Sequence, residues 1–185
     1  IGRFGILVGQ ATNATISQNT VQNVVANDNA ISSTNNVTGI LLSTGVTNSS
    51  LTRNNVSGVR YTGSSGYGGK GIDINTSNAA SNLTVANNFV SDVRGDGWNS
   101  LAGDSVVGLR INGATGGVTL VYNSVNLGYG TFAGNSSGTL SAAFYADAST
   151  SGLTVRNNIF ATNLVNSAAA TAKSYAIATT ATSSA

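Results

Sequence analysis

The chain has 185 residues, 41% hydrophobic and only 8% charged, with a formal net charge of +2 and no Cys, His, Pro or Met. The missing Cys excludes disulfides and thiolate metal sites, and no apolar run of about 18 residues is present to span a bilayer as a helix. Eight basic against six acidic side chains give no reason to expect a nucleic-acid partner or membrane insertion. A charge content far below the roughly 25% of an average domain predicts a surface of Ser, Thr, Asn and Gly instead.

In chain order, the first predicted strand opens at Gly5-Ile6-Leu7-Val8. A second is centred on Ile16 and ends before Asn19, a third begins near Val21, and an irregular loop covers 25–38. The same order returns from Gly39-Ile40-Leu41-Leu42 through Leu51, Asn54 and Val56 to a loop at 60–70. It returns again from Gly71-Ile72-Asp73-Ile74 through Val85, Asn88 and Val90 to the loop 94–107. A fourth pass runs from Gly108-Leu109-Arg110-Ile111 through Leu120, Asn123 and Val125 to the loop 129–142. Ala143-Phe144-Tyr145-Ala146 starts a fifth, with Val155, Asn158, Phe160 and the loop 165–175, and Ala176-Ile177-Ala178-Thr179 begins a sixth. The five asparagines Asn19, Asn54, Asn88, Asn123 and Asn158 are 35, 34, 35 and 35 residues apart.

A period near 34 also suits helical repeats, but the apolar residues within each repeat alternate, as in Leu83-Thr84-Val85 and Leu153-Thr154-Val155. Alternation means strands with one face buried. The predicted fold is all-β, a single-stranded parallel β-helix of about five coils with three short strands per coil. Each strand pairs with its equivalent one coil on, and the stack buries an aliphatic core that no single coil could bury. Residues 1–185 are expected to form one domain, a segment of a longer solenoid. The asparagines are expected to form a buried ladder, with each amide hydrogen-bonded to its neighbours. They are also expected to adopt the left-handed backbone conformation of the turn they occupy. On this view Asn88→Leu costs roughly 1–3 kcal/mol.

The Asn ladder, the Asn-x-apolar turns Asn88-Phe89-Val90 and Asn158-Ile159-Phe160, and the Gly-Ile-x-Ile strand starts resemble the right-handed parallel β-helix superfamily, the pectate-lyase-like group. The resemblance covers 5–179. It implies a right-handed coil and a kinship with lyases and hydrolases of acidic polysaccharides, phage tailspikes, and the β-helix repeats of large secreted bacterial surface proteins.

On the first strand of each coil the outward column reads Leu7, Leu41, Asp73, Arg110, Tyr145 and Ala178, and the next reads Gly9, Ser43, Asn75, Asn112, Asp147 and Thr180. Asp73, Asn75, Arg110, Asn112, Tyr145 and Asp147 thus share one face. In enzymes of the superfamily this face and its loops often form the saccharide groove. The resemblance therefore implies a polysaccharide or cell-surface glycan as ligand there. Trp98 of the loop 94–107 is a candidate stacking platform, its simpler reading being a Trp that packs its loop onto the barrel. The simpler reading of Asp73 and Arg110, one rung apart, is a surface ion pair worth less than about 1 kcal/mol. No catalytic residue is assigned: Asp73 and Asp147 are two rungs apart, about 10 Å by strand spacing, and the chain has neither Glu nor His. No cofactor is expected. The one hint of calcium is Gly68-Gly69-Lys70-Gly71-Ile72-Asp73, which begins like a calcium-binding nonapeptide repeat, with Asn75 where that pattern needs an apolar residue.

These features predict a non-catalytic structural or adhesive β-helix segment, an adhesin-like part of an extracellular or cell-surface protein, able to self-associate through open solenoid ends. The alternative is a carbohydrate-active β-helix, a polysaccharide lyase, a glycoside hydrolase or a carbohydrate-binding module, working on the first-strand face.

Overall fold

The computed structural model describes residues 3–27, 36–97, 99–132, 139–166 and 171–180. Strands β1 (Phe4–Val8), β2 (Thr15–Ser17), β3 (Thr20–Gln22) and β4 (Val25–Ala26) make the first coil. β5 (Thr38–Leu42), β6 (Ser50–Thr52) and β7 (Asn55–Tyr61) make the second, and β8 (Lys70–Ile74), β9 (Leu83–Ala86) and β10 (Phe89–Arg94) the third. β11 (Val106–Ile111), β12 (Val118–Val121) and β13 (Ser124–Phe132) follow, then β14 (Leu140–Ala146), β15 (Thr154–Arg156) and β16 (Ile159–Asn166), and finally β17 (Lys173–Thr179). The described residues contain no helix.

Three parallel sheets result. The first has the order β1-β5-β8-β11-β14-β17, the second β2-β6-β9-β12-β15 and the third β3-β7-β10-β13-β16, with β4 also paired to β7. The second and third sheets therefore stack five layers in four steps, and the first sheet carries one strand more. Register follows the repeat. Ile6, Ile40, Ile72, Leu109, Phe144 and Ile177 are successive partners in the first sheet. Ile16, Leu51, Val85, Leu120 and Val155 are so in the second, and Val21, Val56, Val90, Val125 and Phe160 in the third. These three columns meet in one core, apart from Val155 and Ile177 at the end of the stack, which are exposed. Each fully buried aliphatic side chain in it contributes about 1.5–3 kcal/mol, which a single coil could not realise.

The asparagine ladder forms, and it has a direction. From Asn54 onward, each Oδ1 accepts from both the main-chain N–H and the Nδ2 of the ladder Asn one coil earlier, at 2.8–3.1 Å. Each Nδ2 also reaches back to a main-chain carbonyl of the preceding coil, from Asn54 to Ile16, Asn88 to Leu51, Asn123 to Val85 and Asn158 to Leu120. The expectation about the turn itself is corrected. The left-handed residue is not the ladder Asn but the one before it: Gln18, Arg53, Asn87, Tyr122 and Asn157 all have φ between 55° and 58°. One left-handed residue bends the chain, and the bend points the next side chain inward. The turn entering the second sheet has its own left-handed column, Asn13, Asn48, Asn82, Gly117 and Gly152, and there Asn and Gly are the residues that tolerate that conformation.

The glycines at the start of the first-sheet strands have a different cause. Gly5, Gly39, Gly71 and Gly108 face the core, where an added Cβ would run into Val21, Val56, Val90 or Val125 of the third sheet. In the fifth coil Ala143 takes this place, and Phe144 stacks on Phe160 with ring centroids 4.9 Å apart.

Candidate functional site

Two consecutive residues of each first-sheet strand, the Gly and the residue after it, face the core. This irregularity puts the residue before the Gly on the outer face, together with the column that follows. Lys70 is thereby brought to the same side as Asp73, and Val107 and Ala142 to the same side as Arg110 and Tyr145. The outer face is not bare. The segment 99–105, which leads into β11, lies across it as a strap. Leu101 of the strap packs with Val107, Ala142 and Tyr145 in a second apolar cluster.

The strap is held mainly through its carbonyls. Lys70 Nζ donates to the Ser105 oxygen. Arg110 Nη1 donates to the oxygens of Ala102 and Gly103, Asn112 Nδ2 to Ala102 at 3.3 Å, and Asn36 Nδ2 to Gly103 at 2.9 Å. Arg110 is itself fixed by Asp73 in a two-pronged pair, Nε to Oδ1 at 2.8 Å and Nη2 to Oδ2 at 2.6 Å. Asp73 and Arg110 are only 5% and 6% exposed, so the surface ion pair expected from their spacing is in fact a buried one. The cause is the strap, which no strand register announces.

Charge here is governed by burial. Lys70 is fully buried, and loss of hydration, followed by the neighbouring Arg110 charge, pushes its pKa well below the ordinary lysine value; Asp73 and Asp104 act in the opposite direction. Burial also works against the charge on Arg110. The Asp73 carboxylate outweighs it, through its charge and its hydrogen bonds, and keeps Arg110 firmly protonated. Two acceptors in the cluster, Asp104 Oδ1 and Asn112 Oδ1, are buried without a hydrogen-bond donor.

The other predicted site residues take separate roles. Tyr145 is buried and its hydroxyl bonds Thr180 at 3.0 Å. Asp147 closes a turn by accepting from Ser149 N and Oγ, each at 2.9 Å. Asn75 borders an open depression of about 160 Å³ shared with Phe4, Leu41, Ser43, Thr44 and the Asp73–Arg110 pair. Trp98 lies outside the described residues. The calcium hint does not fit the residues present: the carboxylate of that stretch, Asp73, is taken up by Arg110. No group of three or more metal-ligating side chains occurs among the described residues. On the third sheet, Asp92 pairs with both Arg60 and Arg94 on a half-exposed surface.

Sequence reasoning missed Lys70. Strict alternation counted back from Asp73 puts it on the core side, and only the doubled inward step at Gly71-Ile72 turns it out. The available signal was the apolar pair Val107 and Ala142 at the equivalent position in the next coils, which asks for a covered outer face. No protein-family model matches the chain, and neither a curated protein nor a solved structure is significantly similar to it.

Proposed function

We propose that the chain is a non-catalytic structural or adhesive β-helix segment of an extracellular or cell-surface protein, of the pectate-lyase-like kind. One observation carries this reading: the buried ionisable groups at the centre of the first-sheet face, Lys70, Asp73 and Arg110, are spent on the protein's own main chain and on one another. Asp73 is closed by Arg110, and Lys70 and Arg110 hold the strap. A general acid or base must reach a substrate proton at about 2.6–3.2 Å, and a fully buried lysine amine bonded to a carbonyl offers no such approach. The sparse charge and the Ser, Thr and Asn surface support an extracellular setting.

A glycan-binding role is the second reading, favoured by the depression beside Asp73, where Ser43, Thr44 and Asn75 offer polar contacts and Phe4 and Leu41 an apolar wall. A depolymerisation screen over acidic and neutral polysaccharides, run beside a glycan array, tests both. The scaffold reading expects no release of reducing or unsaturated ends. Release that disappears in Asp73→Asn overturns it in favour of an enzyme. Array binding that Ser43→Ala and Asn75→Ala weaken, without turnover, selects the glycan-binding reading.

A further inference from the structure

Asn112-Gly113 is the only Asn-Gly step in the chain, and it stands at an anchor of the strap. Asn112 Nδ2 holds the Ala102 carbonyl, while its Oδ1 is without a donor. Gly113 has φ +63° and no side chain to hinder approach to its nitrogen. Its main-chain N–H donates to none of the described acceptors, although its carbonyl accepts from Thr115 N. Asn112 is thus an asparagine followed by a residue without a side chain, and its amide is held at one of its two polar atoms only. The other asparagines precede residues with side chains, and the ladder asparagines Asn54, Asn88, Asn123 and Asn158 are fixed at both amide atoms by neighbouring coils.

We propose that Asn112 is a self-modification site, at which spontaneous deamidation releases the strap from the first-sheet face. The Gly113 nitrogen attacks Asn112 Cγ, the new C–N bond closes a succinimide, and the side-chain nitrogen leaves as ammonia. Water then opens the ring at either carbonyl and leaves aspartate or isoaspartate. No oxidant, metal or enzyme is needed. The product carboxylate cannot donate to Ala102 O. It repels that carbonyl and competes with it for Arg110 Nη1, so two of the strap's anchors weaken together. Asparagine lability of this kind rises with temperature and, because the attacking nitrogen must lose its proton, with pH. The change would uncover Lys70 and the apolar cluster of Leu101, Val107, Ala142 and Tyr145. The inference deepens the scaffold reading by giving that surface a timed change of state, but its chemistry is read independently of any polysaccharide assay.

The test is incubation of the intact chain at mildly alkaline pH, with peptide mass mapping over days and hydrogen exchange of the strap. The expected result is deamidation at residue 112 at least about tenfold faster than at the Asn-Ser steps of Asn48 and Asn123 in the same digest, with strap protection falling in step. Asn112→Asp should show the loosened strap from the outset, and Asn112→Gln should keep its protection throughout. Deamidation at 112 no faster than at Asn48 overturns the proposal. So does a strap whose exchange is the same in wild type, aged wild type and Asn112→Asp.

Discussion

Asn88→Leu removes the middle rung of the ladder, and its cost can be worked from the contacts. The Asn88 side chain takes part in four hydrogen bonds. Its Oδ1 accepts from Asn54 N at 3.0 Å and Asn54 Nδ2 at 2.9 Å, and its Nδ2 donates to Leu51 O at 2.8 Å and Asn123 Oδ1 at 2.9 Å. Asn54 Nδ2 keeps two other acceptors, Ile16 O and Thr52 O, and Asn123 Oδ1 keeps the Asn88 main-chain N–H. One buried main-chain group, Asn54 N–H, loses the partner that the side chain supplied, whereas Leu51 O keeps its place in the parallel ladder with β9. At about 1–3 kcal/mol for a buried group left unsatisfied, the loss is roughly 1–3 kcal/mol, in line with the cost expected from the ladder pattern. Asn158→Leu is the control. It removes a similar set of bonds, but Asn158 is half-exposed on the outermost coil, where water can replace them, and the cost should be about 1 kcal/mol. Urea unfolding followed by circular dichroism, with the slope held constant between variants, gives both numbers. A stability for Asn88→Leu within about 1 kcal/mol of wild type, or an equal loss at both positions, would refute the buried-ladder reasoning.

Arg110→Met should cost about 3–5 kcal/mol by leaving Asp73 buried without its partner, and the double change Asp73→Leu with Arg110→Met should cost less than the single one; a double-mutant cycle by chemical denaturation reads the difference. Lys70 makes stability depend on pH in a definite direction. Between its depressed folded pKa and its ordinary 10.5 the unfolded chain holds a proton that the folded chain does not, so stability rises with pH across that window. Lys70→Met should flatten that slope in a pH series of melting curves, and an unchanged slope would show that burial does not control this amine. Gly71→Ala should destabilise by about 1–3 kcal/mol, since the added methyl overlaps Val90 and the carbonyl oxygen of Gly108. Denaturation midpoints close to wild type would mean that the first and third sheets can move apart. Asp92 is held below its ordinary 3.8 because the hydrogen bonds and charges of Arg60 and Arg94 outweigh its burial. Its contribution should be present above that value, fade as pH falls through the lowered one, and shrink with added salt because the group is partly exposed; acid titrations of wild type and Asp92→Asn at two salt concentrations check this.

The coil was legible in the sequence because each of its determinants is local and repeated. An apolar residue three before each ladder Asn and another two after it define two of the core columns, and the 34–35-residue period sets the register. Parallel strands one coil apart can satisfy both only by stacking equivalent residues. The buried ladder follows from the same columns, since an amide amid aliphatic neighbours must find partners in the coils above and below. The conformation of the turn did not follow. The left-handed column Gln18, Arg53, Asn87, Tyr122 and Asn157 has no common residue type, because the geometry of stacked corners imposes it whatever the side chain. The candidate site was half legible. Register placed Asp73, Arg110 and Tyr145 side by side, but whether they face solvent depended on the strap 99–105, a segment with no periodic pattern. Its path is set by contacts with Lys70, Arg110, Asn112 and Asn36, the last lying 67 residues away along the chain. The sequence by itself thus determined the repeating backbone and its core, where every interaction recurs. Only the tertiary structure decided which polar groups are buried, because that depends on single, non-repeating contacts between distant parts of the chain.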